Sequence, residues 1–159
     1  DFRVDYGFDL AELTDTDSRL NFTLNGTNFL KNDEVRDVSA PDEVTDVLGT
    51  FSRPEWIVNM NVDYLIGDFV IGWQGRYESS QLLPGIENQD IENNPDFVSI
   101  TSTGSALVHD FSVSYTFDDS LEVYGGVNNA FEEDPYLGTL SRPAGPRGRF
   151  FFLGLNYNM

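Results

Sequence analysis

The sequence predicts an all-β protein, an antiparallel transmembrane β-barrel segment of about seven strands. Three observations predict it. Apolar and polar residues alternate with period two in segment after segment, and helical spacing appears nowhere at comparable length. The polar half of each alternation is rich in Asn, Gly, Ser and Thr, which suits a crowded, hydrated lumen. The connections alternate short, long, short, long, short, long, as in barrels with short turns on one side of a membrane and long loops on the other.

In the first segment Phe2, Val4, Tyr6, Phe8 and Leu10 alternate with Arg3, Asp5, Gly7 and Asp9. Thr14 to Ser18 reads as a turn. Leu20, Phe22 and Leu24 then alternate with Asn21, Thr23 and Asn25, running on towards Leu30. From Lys31 to Pro54 the pattern is lost in an acidic loop. The third segment places Trp56, Val58, Met60, Val62 and Tyr64 opposite Ile57, Asn59, Asn61 and Asp63. A tight turn at Gly67-Asp68 leads into Phe69, Ile71, Trp73 and Tyr77, opposite Val70, Gly72, Gln74 and Arg76. A polar loop follows from Glu78 to about Gly104. Phe111, Val113, Tyr115 and Phe117 form the fifth apolar face, and Asp118-Asp119 a short turn. Leu121, Val123 and Val127 form the sixth, and a loop with three prolines spans Glu132 to Arg147. The last segment, Arg149 to Met159, sets Leu153, Leu155, Tyr157 and Met159 against Gly154, Asn156 and Asn158. Each segment is roughly ten residues, the length a tilted strand needs to cross a bilayer. The parity puts the turns near Asp15, Gly67 and Asp118 in the periplasm and the loops near Asp42, Asn88 and Gly138 outside.

The chain has 159 residues, about one domain's worth, so size alone admits an independent soluble fold. A soluble β-sandwich, such as a carbohydrate-binding one, also alternates. Its outward residues are usually charged or Thr-rich, however, and its loops similar in length at both ends. With 9 Lys+Arg against 27 Asp+Glu the net charge is −18, which makes nucleic acid a poor partner. Most acidic loops are simply solvated, although cations could bridge these to lipopolysaccharide phosphates. There is no cysteine, hence no disulfide framework, thiolate metal site or Cys nucleophile. No run of about 18 apolar residues suggests a spanning helix. The opening Asp1-Phe2-Arg3-Val4 has no signal-peptide character, so an exported protein would have its signal upstream of this stretch or already removed. Aromatics reach 14% although the mean hydropathy is below zero, natural for a barrel with aromatic girdles and a polar interior.

Enzymatic chemistry finds no support. His109 is the only histidine and stands at a strand start, where a rim or lumen role fits better than catalysis. The carboxylates are scattered in loops without the paired, buried setting of acid–base chemistry. Asn88, Gln89, Asp90, Glu92 and Asn93 suggest a calcium loop but lack EF-hand spacing and its glycine. No metal site, cofactor or catalytic residue is assigned.

The closing forty or so residues carry a family resemblance. Val127, Asn128, Asn129, Phe131, Asp134 and Pro135 resemble the penultimate strand of TonB-dependent outer-membrane receptors, where Val-Asn-Asn runs into an aromatic, an acidic residue and a proline. Arg147-Gly148-Arg149-Phe150-Phe151 is similar to the family's lead into the last strand. Arg53-Pro54-Glu55-Trp56, Gly67-Asp68 and Arg76-Tyr77 fit the family's layout upstream. The resemblance implies a bacterial outer-membrane transporter that takes up a scarce nutrient, such as an iron chelate or oligosaccharide, with energy from the TonB complex. It implies that this chain is the C-terminal part of a larger barrel of about 22 strands, lacking the plug and the N-terminal strands. Implied partners are the rest of the barrel and its plug, TonB through the missing N-terminal part, outer-membrane lipid and lipopolysaccharide, and the barrel-insertion machinery. Gly154, Tyr157 and Met159 occupy the positions of that machinery's signal, with Met159 departing from the usual terminal Phe and Phe152 standing where a polar residue is common. Candidate ligand contacts are Trp56, Gln74 and Arg76 at the barrel mouth, with Glu87, Asn88, Asp90, Glu92 and Asn93 in the loop. The rival is a structural or adhesive barrel without energised transport.

Overall fold

The computed structural model describes residues 1–14, 16–83, 101–118, 120–135 and 148–157. Seven strands form one antiparallel sheet: β1 (Phe2–Asp9), β2 (Ser18–Asn28), β5 (Trp56–Ile66), β6 (Phe69–Glu78), β7 (Ala106–Asp118), β8 (Leu121–Asn128) and β9 (Phe150–Tyr157). Their spatial order is their chain order, a meander in which each strand pairs with the next. A soluble sandwich needs a second sheet packed on the apolar face of the first. None is present among the described residues.

The register keeps the alternation in phase across the sheet. Tyr6, Phe22, Val62, Trp73, Phe111, Val127 and Phe151 lie in one cross-strand row. The residues one step along each strand form the opposite, polar face, because successive side chains point to opposite sides. The apolar face is bare: Phe151, Leu153 and Leu155 are 76%, 82% and 65% exposed. An uncovered apolar surface of this extent is unstable in water and suited to lipid. Aromatics collect near the short-turn end, where Tyr115 lies 4.5 Å from Phe69 and 4.7 Å from Phe117 between ring centroids.

The strands run 8 to 13 residues. The β5–β6 hairpin turns on Gly67, whose φ of 54° is readily adopted only without a Cβ. The β1–β2 connection, expected as a plain turn, contains a single helical turn, α1 (Ala11–Thr14). The Asp9 carboxylate accepts the Ala11 N–H at 3.0 Å, capping it. Asp15 and Asp119 lie outside the described residues, as do Asn88 and Gly138.

The connection from Lys31 to Pro54 is more ordered than its sequence pattern suggested. It holds a two-stranded hairpin, β3 (Asp33–Val35) with β4 (Val44–Asp46). Asp46 Oδ1 accepts from the N–H groups of Leu48 and Asn32 at 3.0 and 3.3 Å, and the Val47 N–H donates to Asn32 O at 2.7 Å. Period-two reading missed strands of three residues, which are too short to alternate visibly.

The small core sits at the long-loop end. Val47, Ala106 and Val108 are buried there, with Thr50 and Gln81. The Gln81 side chain accepts the Ser52 N–H at 2.7 Å, and the Leu82 N–H donates to Gly49 O at 2.8 Å, so two long connections are tied together at their bases. Val108 belongs to the polar face yet is fully buried. That end of the polar face is therefore covered, while its middle stays open.

Candidate functional site

The polar face of β5 to β8 gathers charged and amide side chains into two neighbouring hydrogen-bonded groups. Gln74 Nε2 donates to Asn61 Oδ1 at 3.0 Å across β5 and β6. Arg76, the next polar-face residue on β6, pairs with Asp110 on β7 at 3.2 Å. The other Asp110 oxygen accepts the Asn129 N–H at 2.7 Å, just beyond β8. Three strands are thus joined through one carboxylate. Nε of Arg76 and Oε2 of Glu78 are buried without a partner among the described residues.

Asn129 anchors the chain where it leaves the sheet. It is almost fully buried and adopts φ of 50°, a left-handed conformation that Asn tolerates better than most residues. Its side chain donates to Glu133 O and accepts the Glu133 N–H, each at 2.8 Å. The reversal drops Phe131 onto the outer face, edge-on to His109 at 4.9 Å and to Phe111 at 6.2 Å. Arg149, leading into β9, pairs with Glu132 at 3.0 Å. Asn129, the last residue of the Val127-Asn128-Asn129 motif, thus fastens the end of β8 to β7, and Arg149 ties the approach to β9 to the turn that follows β8.

The sequence-predicted residues divide between the two faces. Gln74 and Arg76 share the polar face, in adjacent rows. Trp56 lies on the apolar face at the long-loop end, in register with Asn28. Glu87, Asn88, Asp90, Glu92 and Asn93 lie outside the described residues, and so does Met159. His109, expected at a rim or in the lumen, stands on the apolar face. There its Nδ1 accepts from Trp73 Nε1 at 3.1 Å, which satisfies a donor that would otherwise face lipid unpaired. The single-step shift that separates His109 from Asp110 decides the face, and a strand start gives little pattern from which to read it.

Gly154 has a packing role in the sheet. A Cβ there would fall within the ring of Tyr124, its partner on β8, so the phenol covers the glycine. Phe152 likewise points to the polar face and lies over Gly126, which accounts for an aromatic where a polar residue is common. Asp110, Asn129 and Tyr124 were not among the predicted site residues. Partners contributed from three different strands leave no local spacing to find.

Among the described residues no group of His or carboxylate side chains is placed to hold a metal ion. On the long connection the ionisation of three groups is biased by neighbours. The Asp46 carboxyl is held below its ordinary range by the Leu48 and Asn32 N–H groups, and Asp37 by the Ser39 hydroxyl and N–H. Lys31 is pushed up by its hydrogen bond and ion pair with Asp33.

A family model described as "TonB dependent receptor-like, beta-barrel" matches residues 4–130, which span β1 to β8 and the Asn128-Asn129 pair. No curated protein and no solved structure matches the chain. With four-fifths of its length inside that match, one continuous meander and a bare apolar face, the chain belongs to the β-barrel family of TonB-dependent receptors, outer-membrane transport proteins.

Proposed function

We propose that this chain forms the last strands and outer loops of a bacterial importer that takes up a scarce nutrient with energy from the TonB complex. In this reading the long-loop end faces outside and the polar face lines the lumen. The observation that carries it is the two-faced sheet: a bare apolar side opposite an array of amides, Arg76 and Asp110 fixed by cross-strand bonds. Gln74, Arg76 and the loop around Glu87 to Asn93 make the ligand contacts, and Trp56 stands at the lipid-facing rim of the mouth. In this reading the sheet works with a plug, further barrel strands and a TonB-coupling segment. The insertion machinery reads the last strand, and lipid and lipopolysaccharide surround the apolar face.

The test is growth and accumulation in cells with and without the full-length gene, on limiting iron chelate, cobalamin, oligosaccharide or peptide. Uptake of one class that needs both this gene and TonB is the expected result. Uptake indifferent to TonB, with no plug encoded upstream, would instead support a structural or adhesive barrel.

A further inference from the structure

We propose that a trough on the polar face of β5 to β9 is a subsite for a neutral polyhydroxylated ligand, one sugar unit of an oligosaccharide. This names a substrate class for the importer proposed above and rests on that reading for the use the site is put to. The site itself stands on geometry. Asp63, Gly72, Ser112, Gly126 and Phe152 follow one another in register across five strands. Gly72 presents no side chain of its own in that row, and a trough of about 380 Å³ lies beside it, lined also by Asp63, Ser112 and Phe152 and flanked by the adjacent row of Asn61, Gln74, Asp110 and Asn128.

The floor is shaped by close approach. A Cβ on Gly72 would lie 2.6 Å from Ser112 Oγ and 3.3 Å from Asp63 Oδ1, so these two polar tips converge above the glycine. At the far end the Phe152 ring lies over Gly126, with Cζ 2.7 Å from where a Cβ would stand.

The chemistry of the lining selects the ligand. A sugar hydroxyl both donates and accepts, so its site needs donors and acceptors in fixed positions, and the C–H face of the ring needs an aromatic surface. The bond from Gln74 to Asn61 leaves Gln74 Oε1 as an acceptor and Asn61 Nδ2 as a donor, both held in place. The Asp63 carboxylate, the Ser112 hydroxyl and the Asn128 amide are bonded to no other side chain among the described residues, and Phe152 supplies the aromatic surface. Anionic chelates fit poorly, because Asp63 and Asp110 line the trough and repel negative charge. Apolar peptide side chains fit poorly too, because Trp73 and Phe111 in these strands turn their rings to the opposite face.

The experiment uses the full-length protein in detergent. Equilibrium binding is measured for maltohexaose, cellohexaose and xylohexaose, with a ferric trihydroxamate and cyanocobalamin as contrasts. Phe152→Ala, Asp63→Asn and Gly72→Leu are compared with Val113→Ile on the outer face, each checked for folding by heat-modifiable migration. One hexaose is expected to bind saturably, and each folded trough variant to weaken it roughly tenfold or more, with Val113→Ile unchanged. Phe152→Ala and Asp63→Asn carry the test should Gly72→Leu not fold. Absence of hexaose binding, or binding indifferent to the folded trough variants, overturns the proposal. TonB-dependent accumulation is measured separately. Accumulation of the iron chelate or cobalamin without hexaose binding defeats the trough and leaves the importer. Hexaose binding at the trough with no TonB-dependent accumulation of any probe defeats the importer and leaves the trough.

Discussion

Asp110 accepts the backbone N–H of Asn129 at 2.7 Å while its second oxygen pairs with Arg76, so one carboxylate on β7 ties the end of β8 to β6. The carboxylate is only 15% exposed, which makes its bonds costly to lose.

Removing this clasp should loosen the long-loop end. Asp110→Ala leaves the Asn129 N–H and the Arg76 guanidinium unpaired and is expected to cost about 2–3 kcal/mol. Asp110→Asn keeps an acceptor for Asn129 and should cost less. Asn129→Ala loses both bonds to Glu133 and places a Cβ residue at positive φ. Asn129→Gly relieves the backbone and should be the milder of the two. Urea unfolding of the full-length protein in detergent, followed by tryptophan emission, measures the order. Equal midpoints for all four variants would refute the clasp.

The pairing of Tyr124 with Gly154 predicts a rescue. Gly154→Ala should reduce the folded fraction in membranes, because its methyl enters the space of the phenol. Combining it with Tyr124→Ala should restore folding, since the obstructing ring is then absent. A glycine read only by the insertion machinery would not be rescued from β8. Quantifying folded and unfolded bands after expression of the full-length protein separates the two roles.

The two faces should respond oppositely to charge. Val113→Arg or Leu153→Arg, on the bare apolar face, is expected to cost about 2–4 kcal/mol in a bilayer if the residue lies near the midplane. Ser112→Arg, one residue from Val113 but on the polar face, should cost much less. Folding free energies in lipid vesicles decide, and similar costs on both faces would remove the assignment of lipid and lumen sides.

The β3–β4 hairpin should be sensitive to acid. Asp46 has its carboxyl pKa lowered by the Leu48 and Asn32 N–H groups, and Asp37 by Ser39. Stability from a lowered carboxyl is present above the unfolded-state pKa and is lost as pH falls through the folded one. Lys31 has the opposite sign: its raised pKa contributes below the unfolded lysine value and is lost as pH rises through the folded one. The hairpin should therefore hold across neutral pH and open first in acid. Proteolysis between Lys31 and Pro54, followed from neutral pH to below the carboxylate range with an acid-active protease, is expected to accelerate at the acid end. Asp46→Asn should move that onset.

Much of this architecture was legible in the residues themselves. Alternation such as Trp56 to Tyr64 forces one face apolar and the other polar, because the side-chain period of a strand is two. Seven such stretches separated by alternating short and long connections determined an up-and-down sheet with a lipid side. The Val127-Asn128-Asn129 stretch pointed to the family before any fold was built. The pairing of Asp110 with Asn129, the covering of Gly154 by Tyr124, and the meeting of Asp63 with Ser112 over Gly72 were decided only by the tertiary structure. Each joins residues on different strands, and which residues face one another depends on register. A shift of one residue in the hairpin that brings such a pair together would exchange the faces there and dissolve that pair. Patterning alone carries the faces but not the partners: the face follows from local geometry, whereas the partner depends on the register of the strands that carry the pair.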